Sequence, residues 1–276
     1  MKGTFKAIIL LVIVLSGCST SGNAESESVK VGIRNSEERT WTYIKDQAED
    51  QGVDIELVEL DATVDPNQIL SEGDIDLNAF QHIAYLDLFN ESNETDIVPI
   101  ATTIIAPLGL YSDTITDIEQ LSDGDKVALP NDSSNWGRAL VLLKDAGLIE
   151  LVDDFDGNGG EDRVKSNPMN LEFVPVDSAS APRVMQDLDA AIINNGVALE
   201  AGLMLDDAVI HEDETAKPYI NVIAALEENK DHPAFQTIID IYQSEETAQF
   251  IDETYAGNFL PTFITLDELS TYKETY

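Results

Sequence analysis

The segment LPNDSSNWGRALVLL, Leu129–Leu143, carries side chains suited to gripping a small charged molecule. A strand pattern ends at Pro130, and a helix starts with Asp132, Ser133 or Ser134 as its cap. A helix start presents unpaired N–H groups and a partial positive charge, which suit a carboxylate. Arg138, one of five arginines in the chain, falls on the first turns of that helix. A guanidinium holds a carboxylate by two parallel hydrogen bonds, although a surface arginine paired with a neighbouring acid has the same signature. INNG (Ile193–Gly196) and PYINV (Pro218–Val222) place Asn194 and Asn221 in strand-end positions. Asparagine both donates and accepts, so it can serve an amino group and a carboxylate together, and each one singly also suits a turn. Taken with Arg138, the two asparagines suggest a clamp for an α-amino acid.

A second cluster lies in DIDLNAFQHIAYLDLF, Asp74–Phe89, where Phe80, His82, Tyr85 and Phe89 crowd together just after Asn78. A core helix and a ligand pocket both account for it. The other histidines, His211 and His232, stand far away with no ligand-like spacing, and only one cysteine, Cys18, occurs. That excludes an intrachain disulfide and a cysteine-rich metal site. No nucleophile elbow, zinc-protease helix, phosphate-binding loop or dinucleotide fingerprint is present, so no enzyme chemistry is expected and no cofactor either. DFDGNGGED, Asp154–Asp162, matches a calcium loop at Asp154, Asp156, Asn158 and Gly159. The position that needs a bidentate glutamate holds Lys165, so an acidic turn is the expectation and no metal ligand is assigned.

The elements that must position these residues alternate. Strands are expected at VKVGIR, VDIELVEL, at the end of DPNQILSEGDIDLNAF (a short one), DKVALPND, LEFVPVD, DAAIINNG and YINVIAAL. Helices are expected at TWTYIKDQAEDQG, DPNQILS, SSNWGRALVLLKDAGLI, APRVMQDL and Ala234–Glu253. Two extended pieces surround Pro99 and Pro107. Alternating strands and helices mean an α/β protein with parallel sheet character, and the number of units suggests two lobes with a ligand in the cleft between them. The lobes are expected at 29–111 plus 224–276 and at 112–223, with crossings near Leu110–Ser112 and Asn221–Ala224.

The balance of 53 acidic against 15 basic residues, net −38, repels phosphate backbones and anionic lipid headgroups. Nucleic acid is therefore excluded as a partner. Acids spread along the whole chain describe a solvated, self-repelling surface and fit a salty habitat equally well. MKGTFKAIILLVIVLSGC has two lysines, a short apolar run, then Leu15-Ser16-Gly17-Cys18. This is the shape of a secretory signal, residues 1–17, and LSGC resembles the bacterial lipobox, in which the cysteine receives lipid. Cys18 is then a lipid anchor and 18–28 a polar tether, which places the chain at the extracytoplasmic face of a membrane.

The chain resembles the NlpA/MetQ family of methionine-binding lipoproteins that feed an ATP-driven importer. The resemblance rests on the lipobox and on VKVGI, GDIDLNAFQHIAYLD, VPIATTIIAPLGLYS, VALPNDSSNWGRALVLLKDAGLI, IINNGVALEAGL and PYINVIAALEENKD in family order, from about Val29 to Asn258. It implies a two-lobed, type II-like periplasmic-binding-protein fold and permease and ATPase subunits as partners. It also implies roles for individual residues. Arg138 would hold a ligand carboxylate, and Asn194 and Asn221 its polar end. Phe80, His82 and Tyr85 would lie against an apolar thioether, where sulfur gains from aromatic contact. Asn131 and Asn135 occupy the PND-x-x-N positions. Trp41, in the family's variable first loop, is a candidate wall. Gly196 and Val197 depart from the Asn or Thr and Tyr of many members, and Ser133 and Trp136 from Pro and Leu. The alternatives are another amino acid or a methionine-containing dipeptide in the same fold, or a surface scaffold with a degenerate pocket.

Overall fold

The computed structural model describes residues 28–61, 63–213 and 216–275; the signal segment, the lipobox and Cys18 lie outside them. Thirteen strands are formed by these residues. In chain order they are β1 (Val29–Ile33), β2 (Ile55–Glu59), β3 (Leu77–His82), β4 (Ile97–Ile105), β5 (Gly109–Tyr111), β6 (Lys126–Pro130), β7 (Glu150–Leu151), β8 (Val164–Ser166), β9 (Glu172–Val176), β10 (Ala190–Ile193), β11 (Ile210–His211), β12 (Ile220–Leu226) and β13 (Leu260–Pro261). They make two main sheets, one of order β13-β4-β12-β3-β1-β2 and the other of order β11-β5-β10-β6-β9, and a β7–β8 hairpin.

Each sheet is mixed, and the reason is topological. The β1–β2, β1–β3, β10–β6 and β6–β9 pairs are parallel and are joined by helical crossovers. The strands flanking the passages between sheets, β4, β5 and β12, run antiparallel to their neighbours. β5 belongs wholly to the second sheet and β12 wholly to the first. The chain therefore crosses between Ile105 and Gly109 and returns between His211 and Ile220, a few residues before the positions expected from the pattern. Pro107 sits in the first passage, where a missing N–H interrupts no ladder.

The core divides likewise. The helix Glu38–Asp50 turns Trp41, Ile44 and Ala48 onto the first sheet and onto the helix Pro233–Tyr242. Trp41 is wholly buried there, 5.5 Å from the Tyr242 ring, so it is a core residue and not a wall of any pocket. The helix Ser133–Asp145 buries Ala139, Leu140, Leu142 and Leu143 against the second sheet. The tail expected as one helix is two, Pro233–Tyr242 and Glu245–Tyr255; Ser244 caps the second by accepting from the Thr247 N–H.

Asp74–Phe89 resolves into β3 followed by a helix, Ile83–Asn93, to which the sequence pattern assigns no element. β3 is buried on both faces, and three amides close on one another beneath it. The Asn78 amide donates to Asn67 Oδ1 at 2.8 Å, and Gln81 Nε2 donates to Asn67 Oδ1 at 2.6 Å and to Asn78 Oδ1 at 3.0 Å. Buried amides are tolerated only when paired, and this triad holds β3 to the helix Pro66–Ser71.

Candidate functional site

The carboxyl ends of β1, β3, β6, β9 and β10 converge on one cleft between the lobes, as parallel strands do in open α/β sheets. A cavity of about 320 Å³ opens there. All eight residues singled out as ligand contacts line it: Phe80, His82 and Tyr85 from the first lobe, Asn131, Asn135, Arg138 and Asn194 from the second, and Asn221 at the start of β12. Phe89, the other aromatic of that cluster, packs into the first-lobe core instead.

His82 links two elements. Its backbone ends β3, and its Nδ1 accepts the Tyr85 N–H at 3.1 Å, which caps the helix Ile83–Asn93. The proton then resides on Nε2, which donates to Asn135 Oδ1 across the cleft at 3.2 Å. Burial and the Arg138 charge push the imidazole down to about 3, so it stays neutral. Its ring meets Tyr219 edge-on at 5.3 Å and Tyr85 at 6.2 Å, and Tyr85 meets Phe80 at 5.8 Å. Tyr85 Oη donates to Asp65 Oδ2 at 3.1 Å, which fixes the ring.

Asp132 is the cap of the helix Ser133–Asp145. Its carboxylate accepts the Asn135 N–H at 2.9 Å and the Asn135 side-chain amide at 3.1 Å. The positive helix start is thus filled by the protein's own acid, whose carboxyl burial pushes up, and is not left for a ligand carboxylate. Asn135 Oδ1 also accepts from Asn194 Nδ2 at 2.9 Å. Asn135 therefore organises His82 and Asn194 at once. Replacing Asn135 with alanine leaves two buried donors unpaired, each costing about 1–3 kcal/mol. The ligand affinity of Asn135→Ala is expected to fall at least tenfold and its melting temperature by several degrees, read by calorimetric titration and thermal melts.

Arg138 departs from the sequence expectation. It is 3% exposed and lines the cavity, but its two-pronged edge is taken. Nε donates to Glu212 Oε1 at 2.8 Å, and Nη2 donates to Glu212 Oε2 at 2.5 Å and to the Ala106 carbonyl at 2.9 Å. Glu212 lies 74 residues on, in a loop that no spacing rule connects to Arg138. The guanidinium carbon sits 4.4 Å from the Tyr219 ring centroid. Among the described residues Nη1 has no hydrogen-bond partner. A ligand carboxylate can be reached through Nη1, and the fork serves to orient it.

Sequence reasoning missed several lining residues. Arg34 follows β1 and donates to the carbonyls of Leu60, Asp61 and Val64, with its guanidinium 5.4 Å from the Phe80 centroid. Glu37, Asp132, Asn195 and Glu200 also line the cavity. The signal that finds Arg34, Asp132 and Asn195 is positional, since each comes within two residues of a strand whose carboxyl end faces the cleft. The lobes also touch at its rim. The Ser36 N–H donates to Glu200 Oε1 at 3.1 Å, and an added Cβ on Gly196 meets Ser36 Oγ at 2.9 Å. Together with the His82–Asn135 bond, these contacts describe a closed arrangement of the two lobes.

A larger cavity, about 530 Å³, lies on the far side of Glu212 and includes none of the eight residues. The smaller one is the better site, because buried polar atoms without partners, on Glu37, Asn194 and Asn195, surround it. The acidic loop Asp154–Asp162 is turned to other use. Asp154 and Asp156 lie within 4 Å of Arg163, Asp153 pairs with Lys165, and no acid or histidine cluster fit for a metal occurs among the described residues.

The family model of the NlpA lipoproteins matches residues 29–263. The chain belongs to the NlpA lipoprotein family. Among curated relatives it is 34% identical to the uncharacterized lipoprotein YhcJ of Bacillus subtilis over 282 residues, covering 100% of this chain and 99% of that one. It is 35% identical to the D-methionine-binding lipoprotein MetQ of Escherichia coli, over 92% and 96% of the two chains. Among solved structures it is similar to a nutrient binding protein from Burkholderia cenocepacia bound to methionine, at 36% identity and TM-score 0.82, covering 85% of this chain and all of that one. The two-lobed fold of this NlpA family member is that of a periplasmic solute-binding protein. No helix among the described residues is long and apolar enough to cross a membrane.

Proposed function

We propose that this NlpA family member captures L-methionine, or a close relative of it, between its lobes and delivers it to an ATP-driven importer. The observation that carries the reading is the single cleft that gathers Phe80, Tyr85 and His82 with Arg138, Asn194 and Asn221 and with buried polar groups lacking partners. Arg138 Nη1 takes the ligand carboxylate, Asn194 and Asn221 serve the polar end, and Phe80 and Tyr85 offer ring surfaces to the thioether. Asn131, exposed at the mouth, and Asn135, buried, complete the second-lobe wall. The names of relatives that bind methionine support the same reading.

The work done is binding and release, with no bond broken. Closure excludes water, which strengthens the Arg138 contact, and a ligand that bridges both lobes shifts the population toward the closed form. Cys18 anchors the chain by lipid at the extracytoplasmic face, and the closed lobes dock on the permease of an importer whose ATPase subunits drive transport. The test is calorimetric titration of the full chain, purified in detergent and freed of carried-over ligand by unfolding and refolding, with L- and D-methionine. One-to-one binding is the expected result. A folded protein that gives no heat with either isomer sinks the methionine reading, and the same titration with other amino acids and short methionine peptides then finds the ligand.

A further inference from the structure

Glu37 ends a single 3-10 turn, Asn35–Glu37, at the carboxyl end of β1 and starts the helix Glu38–Asp50. It is 7% exposed, lines the cavity, and its Oε2 has no hydrogen-bond partner. The cation beside it, Arg34, spends its guanidinium on three backbone carbonyls. A buried carboxyl oxygen without a donor is costly in the empty protein. The facing wall repeats the deficit. Asn195 is 1% exposed with neither amide atom paired, and Asn194 Oδ1 is unpaired too. The two walls meet where Gly196 approaches Ser36. Three residues from two lobes that line one cavity thus carry three unpaired acceptor atoms, against the single unpaired donor of the Asn195 amide.

We infer that Glu37, with Asn194 and Asn195, forms a subsite for a primary ammonium group, and that capturing the ammonium drives a proton from Glu37 to solvent. The inference rests on the amino-acid reading above and deepens it, since the earlier assignment gave the ammonium no anionic partner. Glu37 is pushed up to about 8, first by burial and also by the negative charge of Glu200, against the lowering effect of Arg34. Tyr242 and Tyr255 pack behind it and are themselves held above the usual phenol range, by burial first and in part by Glu37. The empty site therefore holds a neutral carboxylic acid at neutral pH. An ammonium placed against it favours the carboxylate. The ligand keeps its three protons and Glu37 releases one to solvent, so a neutral acid and an ammonium become a carboxylate–ammonium pair of zero net charge and the released proton carries the positive charge away.

The sign of the linkage is fixed. Below about 8 the free protein carries a proton that the complex lacks, so affinity tightens as pH rises, by up to about tenfold per pH unit. Above 8 the dependence levels off until the ligand amine itself titrates.

The experiment is calorimetric titration of the full chain with L-methionine at pH 6, 7, 8 and 8.5, each in two buffers of different ionisation enthalpy. The buffer dependence counts protons without any mutation. Close to one proton released at pH 6–7 and fewer at 8.5 is the expected result. Glu37→Gln is expected to release none and to lose the pH dependence, and N-acetyl-L-methionine, which has no ammonium, to bind weakly with no proton release. Methionine binding without proton release, and of equal strength in Glu37→Gln, overturns the subsite and leaves the methionine reading standing. If methionine does not bind, other amino acids are titrated in the same buffers. A proton-releasing ligand among them upholds the subsite while the methionine reading falls, and none overturns both.

Discussion

Replacing Arg138 with alanine is expected to abolish detectable methionine binding and to destabilise the protein by about 3–5 kcal/mol, the cost of leaving one charge of a buried pair alone. Both ends of the pair are nearly out of water, Arg138 at 3% and Glu212 at 8% side-chain exposure. Without the guanidinium, Glu212 retains, among the described residues, the Leu108 N–H, at 2.8 Å, from the passage between the sheets. The lost fork also frees the Ala106 carbonyl in that same passage. The two losses separate in a second variant. Arg138→Met with Glu212→Gln removes both charges and is expected to recover most of the stability, because a neutral pair of similar volume avoids the desolvation cost. It is not expected to recover binding. Thermal melts and titration of the single and double variants decide the matter. If Arg138→Ala melts with the native protein, the ion pair is not a stabilising contact. If the double variant binds methionine at native affinity, Arg138 does not touch the ligand.

The second large effect is expected at Gly137, in the helix that carries Arg138. Alanine in place of a helical glycine ordinarily gains about 1 kcal/mol. Here a Cβ would stand 2.1 Å from the Gly157 carbonyl oxygen and 2.8 Å from its carbon. Those are backbone atoms of a loop that is tied down. The Gly159 N–H donates to Ser133 Oγ at 2.9 Å, and Arg163 Nη2 donates to the Asp154 carbonyl at 2.7 Å. Gly157 and Gly159 have positive φ of 89° and 115°, so the loop cannot readily take another path with other residues there. Overpacking against such a wall outweighs the helix gain. Gly137→Ala is expected to lose about 2–3 kcal/mol, or roughly 4–10 °C of Tm in a chain of this size. Displacing the helix start also shifts Asn135 and Arg138, so methionine affinity is expected to fall as well. A Gly137→Ala protein that melts and binds like the native one would show that the loop yields freely.

The loop that crosses Gly137 is DFDGNGGED, the one that looks in sequence like a partial calcium site. Its glycines and acids have a packing explanation instead. Gly157 lies flat against the glycine of a helix, Gly160 lies against the Trp136 ring, and Asp154 and Asp156 surround Arg163. Composition alone does not separate a metal loop from a close-packed strap, because both need residues of positive φ and short acidic side chains.

The α/β alternation, the helix start at Asp132 and the strand ends before Asn131 and at Asn194 were legible because each depends on local rules. Periodicity sets which face is buried, capping chemistry sets where a helix begins, and a strand followed by a helix places its last residue at the cleft. The eight residues expected at the site do line one cavity, and the residue motifs of the family carried that expectation. Three things needed the tertiary structure. Glu212 takes the Arg138 fork from 74 residues away, Asn135 joins His82 to Asn194, and Glu37 is left with an unpaired oxygen in the cavity wall that Asn195 shares. None has a sequence signature, since a hydrogen bond between residues far apart in the chain depends on how two lobes close, and no spacing encodes that. The sequence by itself determined that eight of the side chains reach the cleft. Only the tertiary structure decided which of them are already satisfied by the protein and which are left for a ligand.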